Sequence, residues 1–298
     1  MTTVTSVPVS MEKPRPSPRR RRSRMHPFRI ATAIIVAALV VVQVYPLAWL
    51  FMTSLKTESD FIHNNPFALP SSISFDNYAR AFSVGDLGMN IVNSLIVTLG
   101  ASVAIVVFGM MAAYALQVLG FRGSKAVKGL FLLGIVVPVQ IALVPLFIDY
   151  ASIGMLDTHL SMIIPLAGFA FPLSVYLFSS FFEYIPDSIY EAASIDGAGP
   201  YRVFWAITMP LSTNTIVTVV LVNSIFIWND FIFGNTFVLS DDLKTIPLGL
   251  QNYIGAMGNV DWTATFAAVC VTITPLLLVF LVLNRAMIYG LESGANKG

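Results

Sequence analysis

Six long apolar stretches constrain this chain more than any other feature. They cover residues 30–53, 90–117, 127–149, 158–182, 213–236 and 264–287. A hydrocarbon layer about 30 Å thick is crossed by a helix of about 20 residues rising about 1.5 Å each, and every stretch reaches that length. Lipid offers a backbone amide no partner, so each stretch must satisfy its own hydrogen bonds as a helix. A β-barrel is excluded, because the apolar residues run continuously instead of alternating in steps of two. The second stretch exceeds what a span needs and is expected to tilt or to begin in a surface turn. Composition agrees, with 56% apolar and 11% charged residues among 298, against about 25% charged in a soluble domain. The expected fold class is an all-α membrane protein of six transmembrane helices.

Lys and Arg set the orientation. With the N-terminus cytoplasmic, the inner flanks hold Lys13, Arg15, Arg19–Arg22, Arg24, Arg29, Arg122, Lys125, Lys128, Arg202, Arg285 and Lys297. Only Lys56, Arg80 and Lys244 of the 17 then fall outside. This is the asymmetry of the positive-inside rule, and it makes both termini cytoplasmic. The division expected is a basic tail over 1–29, a six-helix domain over 30–288 and a cytoplasmic tail over 289–298. The first tail, rich in Pro, Ser and Arg, suits anionic inner-leaflet lipid at about 1 kcal/mol per nearby basic residue. It lacks the aromatic or folded platform of a nucleic-acid binder. The apolar run after it is too long for a signal-peptide core and reads as a retained anchor. A single cysteine, Cys270, permits no intrachain disulfide and leaves the redox compartment undetermined.

Residues 183–211, between the fourth and fifth stretches, are unusual: Glu183, Asp187, Glu191 and Asp196 accompany a single base, Arg202. Pro186 should end any extension of the preceding span. Ser188 and Glu191 stand at capping-box spacing, so a short helix is expected to start there. Gly197 is placed to stop it in a left-handed conformation. Gly199-Pro200 starts a second helix, with Pro near its first position, and Pro210 is expected to break it. Ile189, Tyr190, Ile195, Tyr201 and Phe204 make a patch too apolar for a small exposed loop. Two readings stay open on physics alone. The patch either meets a partner or packs against the chain's own spans.

The pattern Glu191-Ala192-Ala193, three residues, Gly197, nine residues, Ile207-x-x-Pro210 resembles the EAA loop of importer-type ABC permeases. Met209 replaces the usual Leu there, a volume-conserving change. Leu119–Lys125, Trp228-Asn229-Asp230-Phe231 and Gly290–Gly298 resemble the maltose-type, carbohydrate-importing branch, and the likeness extends over most of the chain. The resemblance implies a type I importer permease in the bacterial inner membrane, working as a heterodimer with a second permease. It implies two ATPase subunits and an extracytoplasmic solute-binding protein as further partners, and a sugar or oligosaccharide as substrate. Glu191, Ala192, Ala193, Gly197, Ile207 and Pro210 would then couple the chain to the ATPase. The C-terminal tail would reach between the two ATPases, although Asn296 stands where a small apolar residue is commoner.

Polar residues inside spans are the candidates for the pathway, since such groups usually face a bundle interior or an aqueous cavity. Asp230 lies about 17 residues into the fifth stretch, about 26 Å from its inner end. Asn229 is expected to face inward, while Trp228 suits either a sugar ring or an interfacial belt. Gln140 and Asn93 could line a path or only bond a neighbouring helix. Pro138 and Pro145 predict a kink in the third span. A phosphate loop of the form G-x-x-x-x-G-K-[ST] is absent from the sequence, so ATP hydrolysis is expected on a partner and no enzymatic site on this chain. His26, His63 and His159 lack metal-ligand spacing, and neither a metal nor a cofactor is expected. An ion-gradient-driven transporter would show internal repeats and paired mid-membrane ionisable residues; the spans hold neither. A glycerol-phosphate-type substrate is the alternative to a sugar, but no base lies deep in any span.

Overall fold

The computed structural model describes residues 27–255 and 258–295. Of the basic tail expected over 1–29, residues 1–26 lie outside the described residues, as do 256–257 and 296–298, which include Asn296. The fold is almost entirely helical. α1 (Pro27–Ser54) is followed by two short helices, α2 (Glu58–His63) and α3 (Asp76–Ser83). α4 (Leu87–Tyr114) continues into a π turn (Ala115–Leu119). Next come α5 (Ser124–Gly134), α6 (Val139–Ser152) and α7 (His159–Phe182). The loop holds α8 (Asp187–Ile195), α9 (Pro200–Val203), a second π turn (Phe204–Thr208) and α10 (Met209–Leu211). The chain closes with α11 (Thr213–Trp228), α12 (Ile232–Phe237), α13 (Ile246–Gly249) and α14 (Trp262–Ala295).

Four of these helices are long and apolar enough to cross a membrane, or up to six if each of two bent pairs is one span. The third stretch is where the expectation falls shortest. Pro138 produces a 95° bend between α5 and α6, with Pro138 itself extended at the N-cap of α6. Pro145 by contrast sits within α6. The fifth stretch is also interrupted, since α11 stops at Trp228 and a separate α12 begins at Ile232. The last helix persists to Ala295, past the expected end at 287.

The chain divides into two units, residues 1–48 and 49–298. The first is the apolar body of α1. In the second, α4 and α7 run side by side and form the main core. Val97, Ala101, Ile105 and Met110 of α4 pack with Met162, Val175 and Phe178 of α7, all nearly fully buried. A small residue helps this approach, since a Cβ on Gly100 of α4 would stand 2.8 Å from Ile163 Cδ1 of α7. α4 and α7 both reach the 183–211 loop with their C-terminal ends, here called the loop end.

At the far end a second core joins Ala81, Leu87 and Tyr253 to Ala264, Ala267 and Ala268. Polar side chains fasten it. Arg80 Nε donates to Asp261 Oδ2 at 2.9 Å, and its Nη2 reaches Thr263 Oγ1 at 2.8 Å and Asn77 Oδ1 at 3.0 Å. Asn77 Nδ2 in turn donates to the Ser54 and Lys56 carbonyls, each at 2.7 Å. The Asp261 carboxylate also accepts from Ala264 N, capping α14. Burial pushes that carboxyl up, but the bonds from Arg80, Ala264 and Thr263 together outweigh it and hold it below the ordinary range. Tyr253 donates to the Ala81 carbonyl at 2.9 Å. Burial, with the Asp261 and Asp86 charges, pushes its phenol up to about 12.

Candidate functional site

The 183–211 loop is a helix–turn–helix. α8 starts at Asp187, with Pro186 in the N-cap position and no side chain bonding the first turn. The capping box expected from Ser188 and Glu191 therefore does not form. Proline needs no N–H at that place, and the Pro186 carbonyl accepts from Ile189 N.

The turn follows the expectation. Gly197 has φ +73°, where a Cβ is disfavoured. Ala198 N donates to the Ala193 carbonyl at 2.9 Å and Gly197 N to the Ser194 carbonyl at 3.0 Å. That pair of bonds is a Schellman C-cap. A Cβ on Gly197 would meet nothing of this chain within 4 Å. Gly199 then caps α9, with Pro200 in its first turn. Pro210 is carried within the helical run Met209–Leu211. The 73° bend comes after it, before Thr213. A wide π turn precedes Pro210, and Ser212 closes the corner with its hydroxyl on the Thr208 carbonyl at 2.6 Å.

The apolar patch splits in two. Ala193 and Phe204 are buried in the main core, and Ile189, Tyr190 and Ile207 pack half-buried against it. Ile195 is 86% exposed and Tyr201 77%, and Tyr184 at 84% joins them from the start of the loop. Glu191 and Ala192 are exposed as well. One face of the loop thus packs against the chain's own spans, and the other stands exposed. Glu191, Asp187 and Glu183 also line a cleft of about 410 Å³ with Gln117 and Tyr190.

The intramembrane candidates do not converge on one place. Asp230 sits at the break after α11, where its Oδ1 accepts from Phe233 N at 3.1 Å and Gly234 N at 3.4 Å. It lines a cavity of about 370 Å³ with Asn223, Phe169, Phe226 and Phe233. Asn229 is exposed and its amide bonds back to the Ile225 carbonyl at 2.7 Å. With the buried Trp228 it lines a separate cavity of about 270 Å³, beside Leu250 and Thr272. Gln140 is exposed in the first turn of α6. Asn93 is buried at the far end with both ends of its amide engaged. Nδ2 donates to the Asp242 and Lys244 carbonyls at 2.8 and 3.0 Å, and Oδ1 accepts from His159 Nε2 at 2.9 Å.

Sequence reasoning missed three groups. Asn223 bonds Ser174 Oγ at 3.2 Å between α11 and α7; as an Asn inside an apolar run it was detectable. His159, noted in the sequence only for lacking metal-ligand spacing, partners Asn93. Asp157, at φ +57°, binds Leu239 N and Ser240 N, each at 2.9 Å. That pairing spans some eighty residues and leaves no local trace.

The comparisons fit this geometry. The family described as binding-protein-dependent transport system inner membrane component matches residues 105–288. The diacetylchitobiose uptake system permease protein NgcG of Streptomyces coelicolor is 32% identical over 89% of this chain and 87% of its own length. The melibiose/raffinose/stachyose import permease protein MelC of Bacillus subtilis is 32% identical over 93% and 100%. The trehalose transport system permease protein SugB of Mycobacterium tuberculosis is 34% identical over 89% and 97%. Among solved structures, a chain of a bacterial ABC transporter for import of the acidic polysaccharide alginate shares the fold. Its TM-score is 0.74 at 22% identity, covering 87% of this chain and 95% of that one. With the family match spanning more than half of its length and close relatives nearly all of it, this chain belongs to the binding-protein-dependent inner membrane components, as a permease subunit of an ABC importer.

Proposed function

We propose that the chain forms, with a second permease, the translocation pathway for a sugar or oligosaccharide, driven by a pair of ATPase subunits through the 183–211 loop. The observation carrying this reading is the two-faced loop. Ala193 and Phe204 root it in the bundle core, while Glu191, Ala192 and Ile195 stand exposed at its tip. An apolar surface beside exposed carboxylates is what a partner cleft with a basic rim would accept. Six spans, counting each bent pair as one, and a cytoplasmic loop and termini are the arrangement that the Lys and Arg distribution supports.

ATP-driven closure of the ATPases would draw the loop and rock the spans from inward-open to outward-open. A solute-binding protein would then deliver substrate from the opposite side. Asp230 offers an acceptor beside the aromatic walls of Phe169, Phe226 and Phe233. Aromatic faces with a few polar groups suit a neutral, hydroxyl-rich solute. Asn229 and Gln140, exposed on this chain alone, would complete the path against the second permease. Trp228 and Asn93 would hold its walls. A sugar is also what NgcG, MelC and SugB are named for.

Solubilised complexes should yield a co-purifying ATPase, and its absence would sink the proposal. Gly197→Asp should abolish transport while insertion stays normal; unchanged transport would remove the loop from the mechanism. Transport that persists in ATP-depleted vesicles would favour an ion gradient. The sugars retained by the cognate binding protein would identify the substrate.

A further inference from the structure

Both helices of the loop close on one short element of the bundle. The π turn Ala115–Leu119 extends α4 at the loop end, marked by a bond from Gly120 N to the Ala115 carbonyl at 3.2 Å. On one side the 410 Å³ cleft lies between its Gln117 and Val118 and the α8 residues Asp187, Tyr190 and Glu191. On the other side a second cleft, of about 330 Å³, lies between Ala115 and Leu119 and the α9 residues Pro200 and Tyr201. The turn is therefore flanked by α8 and α9 together. Its own Leu116 is buried in the main core.

The fastening is local. Tyr114, the last α-helical residue before this turn, donates its phenol proton to the Pro200 carbonyl at 3.2 Å. Its ring also packs on Phe204, with centroids 5.3 Å apart. Phe204 is the first residue of the loop's own π turn, where Met209 N reaches back to the Phe204 carbonyl. Tyr114 and Phe204 thus meet where each helix changes from α to π geometry. π turns are rare, occur mostly as single turns and frequently at functional sites, and are places where helices kink.

We propose that this π turn receives the loop's movement and passes it into α4, with Tyr114 as the positioning residue that ties α4 to α9. The proposal rests on the coupling role given to the loop above. When an ATPase draws the loop, the Tyr114–Pro200 bond and the Tyr114–Phe204 contact carry α9 and α4 together. The π turn takes up the change in register, and the α4–α7 pair then moves as a packed unit.

The test uses the full permease complex with its ATPases in nanodiscs, in a Cys270→Ser background. Nitroxides at Val103→Cys on α4 and Leu277→Cys on α14 report the distance between the two helices, with ATP plus vanadate as the probe. Wild type should shift. Tyr114→Ala should lose the shift while ATPase yield and ATP hydrolysis hold, a separation that a merely structural role would not give. Tyr114→Phe keeps the ring and forfeits one hydrogen bond, and should move the nucleotide-driven equilibrium about fivefold. A wild-type-like shift in Tyr114→Ala overturns the proposal and leaves the loop's coupling role standing. Failure of wild type to hold an ATPase overturns both. If Tyr114→Ala does not fold, Tyr114→Phe decides: a reduced shift supports the proposal and an unaltered one overturns it.

Discussion

At the far end, Arg80, Asn77, Asn93 and Asp157 each bridge elements distant in sequence with side-chain hydrogen bonds. At the loop end, the described residues show one such bridge between the loop and the spans, from Tyr114 to Pro200. The rest of the loop's seat on the main core is apolar, through Ile189, Ala193, Val203 and Ile207, with the polar cleft of Gln117, Asp187 and Glu191 beside it. Hydrogen bonds fix one geometry, because a buried group that loses its partner costs about 1–3 kcal/mol. Apolar contacts between aliphatic and aromatic faces tolerate a slide. One end is tied by several side-chain bridges between distant elements, and the other by a single one.

Two glycines give the sharpest way to break this contrast. A Cβ on Gly249 would stand 1.9 Å from Asn90 Nδ2 and 2.4 Å from its Cγ. Asn90 is buried and bonded to the Gly85 carbonyl at 2.9 Å, so it has little room to yield. Gly249→Ala should cost about 3 kcal/mol, at the upper end for overpacking, read as the largest drop in Tm in detergent. Asp261→Ala comes next. It removes the cap of α14 and leaves Arg80 without its carboxylate, for about 2 kcal/mol at these partly exposed positions.

Acid addresses the same end without mutation. Asp157 is held below the ordinary carboxyl range by the Ser240 and Leu239 amides, Asp60 by the Asn64 side chain and Ser71 N–H, and Asp261 as described. A carboxyl depressed in the fold stabilises above its unfolded pKa of about 4, and that contribution is lost as pH falls through the folded value. Melting temperature should be flat across neutral pH and fall only below about pH 4. Asp261→Ala should blunt the fall.

Gly197→Ala is the smallest of the series. The space beside it is open, so only the left-handed backbone is strained, at about 1 kcal/mol. A loss of transport far beyond that small change in Tm would locate the effect in what the loop touches outside this chain. If instead Gly197→Ala destabilised as much as Gly249→Ala, the difference between the two ends would not hold.

Local chemistry was readable from the sequence, and direction was not. Thr213 and Phe182 stand at or next to expected span limits, Gly197 turns as a glycine after a helix should, and Pro200 opens α9. Hydropathy records how apolar a stretch is but not which way it runs, so the prolines marked a kink but not its 95° angle. The Ser188–Glu191 spacing was a false start because the helix begins at Asp187, which puts Ser188 inside its first turn. The π turns have no compositional mark, and the links of Asn93 to His159 and Asp157 to Ser240 depend on tertiary packing alone.

The two-faced build of α8 has a consequence for how such importers could diversify. The residues that root it, Ile189, Tyr190 and Ala193, answer to this fold. Those at its tip, Ser188, Glu191, Ala192 and Ile195, touch little of it. A change of ATPase would then ask for substitutions on the tip alone, leaving the membrane bundle as it stands. If the tip seats in an ATPase as proposed, it would be an interchangeable fitting, and one motor could serve several permeases that share it while carrying different cargo.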